Sequence, residues 1–187
     1  MGVGGADRSG GADSASRGAD AAAKADAAAK AAEKAKAAEK AKAEKAKAEE
    51  RAKAAEMAKA LDRYRDIFTP KDEALKSPYS QVLGAGLDFA KNYHDMKAAS
   101  VIGADSYFHC AANYEAASRG VFGAGAAVGA SIAREISDAY RGKSDWGSFA
   151  SDMAANARGW ASGATGWHDS YQEACDPVRP NGLPDKY

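Results

Sequence analysis

Any chemistry in this 187-residue chain would come from few side chains: His94, His109 and His168, with Cys110 and Cys175. The pairs His94-Asp95 and His168-Asp169 have the makings of an acid–base site, in which a carboxylate orients an imidazole. Adjacent residues point to different sides of a helix, however, and no activated nucleophile is identifiable. Surface histidines are the preferred reading. None belongs to an HExxH motif, and no cysteine pair has zinc-ligand spacing, so no catalytic residue, cofactor or metal site is expected. The stretch Gly123-Ala-Gly125-Ala-Ala-Val-Gly129 is a near match to a dinucleotide-binding loop. Its third glycine is one residue late and no strand precedes it, and both features are needed to seat a pyrophosphate on a helix N-terminus. An enzyme is not expected. Two cysteines are too few for a disulfide framework, and spacing leaves one bridge or two buried thiols open.

The elements that carry these residues are unevenly built. Lys plus Arg and Asp plus Glu are equal at 26 each, which argues against a nucleic-acid partner held by global charge. Residues 1–60 carry 13 basic and 10 acidic side chains, whereas all 16 aromatic residues lie at or beyond Tyr64. A core can form only from about residue 61 onward. Residues 1–18 are Gly, Ser and Asp with little to bury, and disorder is expected there. From Ala19 to Ala60 the chain is Ala, Lys and Glu, with acid-before-base pairs such as Asp20–Lys24 and Asp26–Lys30 at helical spacing. A solvated helical spacer over 19–68 is expected, about 60 Å long over residues 19–60 at 1.5 Å per residue. Its end gains an apolar stripe at Met57, Leu61, Tyr64 and Phe68, and Pro70 stops it.

Beyond Pro78 the 3.6-residue period predicts four helical segments. The first, about 80–98, carries Val82, Phe89, Tyr93 and Met96 beside Leu83 and Leu87; the second runs about 106–119 and places Tyr107, Cys110 and Tyr114 on one side. The third carries Val128, Ile132, Ile136 and Tyr140, and the fourth starts after Ser144 with Trp146, Phe149, Met153 and Trp160. No segment alternates like a strand. The fold class is therefore all-α: a four-helix bundle over 78–187, preceded by a long charged helix and followed by a tail carrying Pro177, Pro180 and Pro184. No apolar run is long enough to span a membrane, and no signal peptide is visible at the N-terminus. The broad apolar faces of the first and third segments suit burial in the bundle or against a lipid surface or partner.

Specific words in the sequence narrow this. Ile102-Gly103-Ala-Asp105-Ser-Tyr107-Phe108-His109, Asn113-Tyr114-Glu115-Ala116-Ala117-Ser118-Arg119-Gly120, Ile136-Ser137-Asp138-Ala139, Ala154-Ala155-Asn156 and the ending Gly182-Leu183-Pro184-Asp185-Lys186-Tyr187 follow one another in order. In these the chain resembles the serum amyloid A family over about residues 80–187; the Ala/Lys/Glu segment lies outside the resemblance. The resemblance implies a small four-helix bundle wrapped by a Pro-rich tail, and a secreted, extracellular acute-phase apolipoprotein-like role. It implies a lipid or lipoprotein surface, or a retinol-like apolar ligand, as partner, together with self-association into a homo-oligomer. Carried over by position, Val82, Leu83, Leu87, Phe89, Tyr93, Val128, Ile132 and Ile136 would contact lipid. The alternative is an interaction module displayed on a helical stalk, without lipid binding. If the tail returns across the bundle as the resemblance implies, Cys110 and Cys175 come within disulfide reach.

The spacer reading has a direct check. A peptide of residues 19–60 should give a substantial helical circular-dichroism signal that weakens on warming and with salt. A coil spectrum in cold, low-salt buffer would reject it.

Overall fold

The computed structural model describes Met1 and residues 12–67, 77–142 and 146–187. These form six α-helices and a short 3-10 helix, with no β-strand among the described residues. The all-α class read from the sequence is the class the chain adopts. Two compact units are present, Met1–Ala48 and Glu49–Tyr187.

Helix α1 runs Ala12–Ile67. It begins seven residues ahead of the expected start, so the disorder expected over 1–18 is corrected for 12–18; residues 2–11 lie outside the described set. Ala12 and Ala15 favour helix, while Asp13, Ser14, Ser16 and Gly18 are weaker helix formers. From Asp26 to Ala48 every side chain is exposed, and Lys30 pairs with Asp26 at 2.8 Å in solvent. Such a pair contributes about 0.3–0.5 kcal/mol.

In the second unit, the face that α1 buries differs from the one expected. Met57 is 48% exposed and Tyr64 59% exposed, whereas Ala54 and Ala58 are buried and Leu61 and Arg65 are half-buried. Phe68 and Pro70 lie outside the described residues. The buried row therefore reads Ala54, Ala58, Leu61, Arg65, again with steps of 4, 3 and 4. Two ion pairs lie along this stretch of the helix, Glu50 with Lys97 at 2.7 Å in solvent and Arg65 with Glu115 at 2.5 Å.

Helix α2 (Pro78–Ala99) opens on Ser77, whose hydroxyl accepts from the Ser80 amide at 3.1 Å, with Pro78 in the first turn. Helices α3 (Asp105–Ala117), α4 (Val121–Tyr140) and α5 (Trp146–Thr165) match the expected second to fourth segments. The glycine-rich run Gly123–Gly129 lies inside α4, which removes the dinucleotide-loop reading. Helix α3 is the hub: nine of its thirteen residues are buried. It meets α5 almost backbone to backbone. A Cβ on Gly159 would collide with the Cys110 carbonyl oxygen, and one on Gly163 with that of Tyr114. Two glycines four residues apart thus set the α3–α5 spacing.

The tail is more structured than its prolines suggested. A short helix α6 (Tyr171–Cys175), capped by Ser170 accepting from the Glu173 amide, runs into the 3-10 helix Asp176–Val178. It was not foreseen, being only five residues long. Cys175 is disulfide-bonded to Cys110 with a Cα–Cα distance of 5.8 Å, and both are fully buried. Leu183 and Tyr187 return to the core beside Tyr107 and Phe108. Arg179 holds this return: its guanidinium donates to the main-chain oxygens of Tyr187 (2.6 Å), Leu183 (3.1 Å) and Pro184 (3.0 Å) and lies 5.3 Å from the Tyr107 ring centroid.

Gly159→Ala should therefore destabilise the folded chain by about 1–3 kcal/mol, since the added methyl can be placed only by moving backbone. Urea unfolding of the two proteins measures this. Equal midpoints would show that the α3–α5 contact is looser than described.

Candidate functional site

The eight residues assigned to lipid contact fall on α2 and α4. Val82, Phe89 and Tyr93, spaced by seven and four residues, share one stripe of α2, and Val128, Ile132 and Ile136 share one stripe of α4. Five of the eight, Val82, Leu83, Tyr93, Ile132 and Ile136, are substantially exposed, with Ile136 at 62% and Tyr93 at 50%. Leu87, Phe89 and Val128 are half-buried, and Phe89 packs on the small cluster of Ala85, Ala116 and Ala127. Val121, Phe122 and Tyr140 extend the exposed apolar side of α4, and Tyr79 that of α2. Between α2, α3 and α4 lies a cavity of about 180 Å³, walled by Phe89, Tyr93, Met96 and Phe108, with His109 and Arg134 among its lining.

Two polar knots hold these helices in place. In the first, Asp88 is 1% exposed and accepts two hydrogen bonds from Arg119, from Nε at 2.5 Å and from Nη2 at 2.8 Å. The guanidinium reaches Asp88 by lying across Gly84, one turn earlier on α2, where any Cβ would overlap it. Arg65 joins at 3.8 Å from Asp88, and Glu115 links Arg65 to Asn92, whose amide donates to it at 2.7 Å. Burial pushes the Asp88 carboxyl up to about 6; the Arg119 hydrogen bonds pull it down, and the neighbouring Glu115 charge adds to the rise.

Asn113 centres the second knot. Its carbonyl oxygen accepts from Ser131 Oγ (2.8 Å) and Trp160 Nε1 (2.7 Å), and its amide donates to the His109 carbonyl (2.8 Å) and Asn156 Oδ1 (2.7 Å). One side chain thereby ties α3 to α4 and α5. His109 lies beside it at 6% exposure, so the surface reading is corrected for this histidine. Burial, then the Arg134 charge, lowers the pKa of its imidazole. His94 and His168 are half-buried, and His168 Nδ1 lies 3.2 Å from Ser162 Oγ.

Nothing in these knots has the geometry of a nucleophile beside its base. What the surface offers is apolar area on the exposed sides of α2 and α4. The family model described as Serum amyloid A protein matches residues 76–187. The chain belongs to the serum amyloid A family. It is 40% identical to the serum amyloid A protein of Equus caballus over 100 residues, covering 54% of this chain and 88% of that protein. It is 41% identical to serum amyloid A-1 of Homo sapiens over 111 residues (56% and 80%), and 43% identical to serum amyloid A-2 of Oryctolagus cuniculus over 108 residues (57% and 77%). The serum amyloid A region contains α2 to α6 and the tail, and both polar knots draw most of their residues from it.

Sequence reading missed the knots. Asp88 stood between Leu87 and Phe89, a lone acid interrupting an apolar face, and this was the available signal for a buried pair. The tail arginine carried no such signal.

Because the folded-state value of Asp88 lies above the 3.8 of an ordinary aspartate, its contribution to stability is complete below about pH 4 and is lost as pH rises through 6. Carboxyl ¹³C NMR should show Asp88 titrating near 6, and Asp88→Asn should remove that part of the pH dependence of unfolding. A midpoint near 3.8 would overturn the assignment.

Proposed function

We propose that this serum amyloid A chain is a non-enzymatic, extracellular apolipoprotein-like protein that binds lipid or lipoprotein surfaces through the outer faces of α2 and α4. The observation that supports this most is the exposure of large apolar side chains, Val82, Leu83 and Tyr93 on one helix and Ile132 and Ile136 on the other. Each sits on a helix whose opposite side is locked into the bundle by the Asp88 or Asn113 knot, so the apolar stripe is displayed on a firm support. No helix among the described residues is long and apolar enough to cross a membrane, and the reading is one of surface adsorption. Leu87, Phe89 and Val128, being half-buried, would support the contact from beneath.

The cavity takes second place in this reading. At about 180 Å³ it is smaller than the roughly 300–1,000 Å³ of typical small-molecule pockets. A retinol-like molecule would need it to widen or would lie partly on the α2–α4 surface. Acute-phase physiology and self-association belong to the same proposal through family membership.

Flotation and titration with phosphatidylcholine vesicles test it. The full chain should partition onto vesicles. Ile136→Glu and Ile132→Glu should each weaken binding about tenfold or more, since a buried isoleucine side chain contributes about 1.5–3 kcal/mol. Both positions are exposed, so circular dichroism and melting should be unchanged. Undiminished vesicle binding in the double variant would reject these faces as the lipid site.

A further inference from the structure

Beside the cavity, helices α3, α4 and α5 bring together a set of donors that the lipid reading does not use. His109 of α3, Glu135 of α4 and Asp152 of α5 each offer one ligand atom, and these atoms lie within 4.8 Å of one another. Glu135 is 2% exposed although it carries a carboxyl group, and its Oε1 has no hydrogen-bond partner among the described residues. His109 Nε2 is likewise buried without a partner. Leaving such atoms buried and unmatched is costly, about 1–3 kcal/mol each and more for a charged group. Their placement side by side in a well-knit core calls for an occupant.

We propose that His109, Glu135 and Asp152 form a binding site for a divalent transition-metal ion of the Zn²⁺ type. One imidazole and two carboxylates are a donor set for a borderline cation, and three protein ligands leave a fourth position for water from the cavity that His109 lines. Calcium, which takes six to eight oxygen ligands, is poorly served by three donors that include a nitrogen.

The surroundings are those of a ligand set held in place. His109 Nδ1 lies 3.1 Å from Asn156 Oδ1, and that oxygen is itself fixed by the Asn113 amide at 2.7 Å. Ser106 Oγ donates to Asp152 Oδ1 at 3.1 Å. Partners of this kind orient metal ligands and commonly change affinity by about 10–100-fold. With Nδ1–H donated to Asn156, Nε2 is the ring nitrogen left to face the ion. Donors around a tetrahedral Zn²⁺ at 2.0–2.2 Å stand about 3.4 Å apart. The triad, whose ligand atoms lie within 4.8 Å of one another, must therefore contract by up to about 1.4 Å, which side-chain rotation can supply. The nearby Arg134 is ion-paired to Asp138 at 3.3 Å.

The proposal stands apart from lipid binding and is tested on the full chain without lipid. Titration with ZnCl₂ by calorimetry, backed by competition with a chromophoric chelator, should give one ion per chain with a micromolar or tighter Kd. Glu135→Gln and Asp152→Asn should each raise that Kd at least tenfold, with the metal-free variants keeping the parent's helical spectrum. X-ray absorption of the loaded protein should show one imidazole among oxygen ligands. His94→Gln, which alters a histidine outside the triad, should bind as the parent does. Absence of saturable binding at 100 µM Zn²⁺ would overturn the site, as would a Kd unchanged in both carboxylate variants or lost in His94→Gln.

Discussion

The ion pair between Asp88 and Arg119 is the constraint on which the rest of the bundle depends. Arg119 follows the end of α3 and immediately precedes the turn into α4, so anchoring it to the middle of α2 fixes three helices at once. The approach works only because Gly84 has no side chain where the guanidinium lies. Burying both charges is expensive, and a buried pair of this kind adds little net stability over apolar residues of the same volume. What it supplies is position: neither partner has an equally good place one turn away. The upward shift of the Asp88 carboxyl is the electrostatic trace of that burial, since desolvation outweighs the two arginines that face it. Asn113 plays the neutral counterpart on the other side of α3, meeting α4 and α5 through hydrogen bonds that make no charge bury itself.

The tail completes what the helices begin. Tyr107 and Phe108 on α3 would face solvent in a bare bundle; here they are covered by Leu183, Tyr187 and the short helix α6. Beyond the 3-10 helix Asp176–Val178 the tail makes only isolated turns, so several of its carbonyls need partners from elsewhere. Arg179 resolves this by taking three of those carbonyl oxygens with one guanidinium. The disulfide from Cys110 to Cys175 tethers the segment where it leaves α6, closing a loop with a sequence separation of 65. In the loop-entropy view such a link acts chiefly by restricting the unfolded chain, by roughly 2–4 kcal/mol.

Periodicity made the helices legible, because each of α2 to α5 keeps one face apolar over at least three turns, and the ends of α2 and α3 fall within about two residues of the expected ones. The family words in α3 and at the C-terminus carried the rest of the fold. Illegible were the contacts that depend on small or polar residues. A period-based reading weights Met57 and Tyr64 heavily and alanine hardly at all, so it chose the wrong face of α1. By propensity Gly84 is only a weak helix former, whereas in the fold it makes room for a guanidinium. The same reading took His109 for a surface residue because its partners Glu135, Asp152 and Asn156 lie on other helices, far away in sequence. Chemistry assembled across three helices leaves no local spacing to recognise.

These misreadings have one cause, and it bears on function. In the unit Glu49–Tyr187 the helix contacts are made largely by small residues: Ala54 and Ala58 on α1, Ala85 on α2, Ala111, Ala112, Ala116 and Ala117 on α3, Ala127 on α4 and Ala155 on α5. Close approach at these alanine and glycine positions leaves no room for a larger side chain there, and larger ones either wall the cavity, as Phe89, Met96 and Phe108 do, or lie further out. The large apolar side chains of α2 and α4 are therefore displaced to the outer face, where Val82, Leu83, Ile132 and Ile136 stand exposed. An exposed apolar face on a monomer ordinarily signals a partner or a lipid surface. In this chain it follows from the packing itself: the residues small enough to join the helices are inside, and the residues large enough to enter a lipid surface are what remains outside.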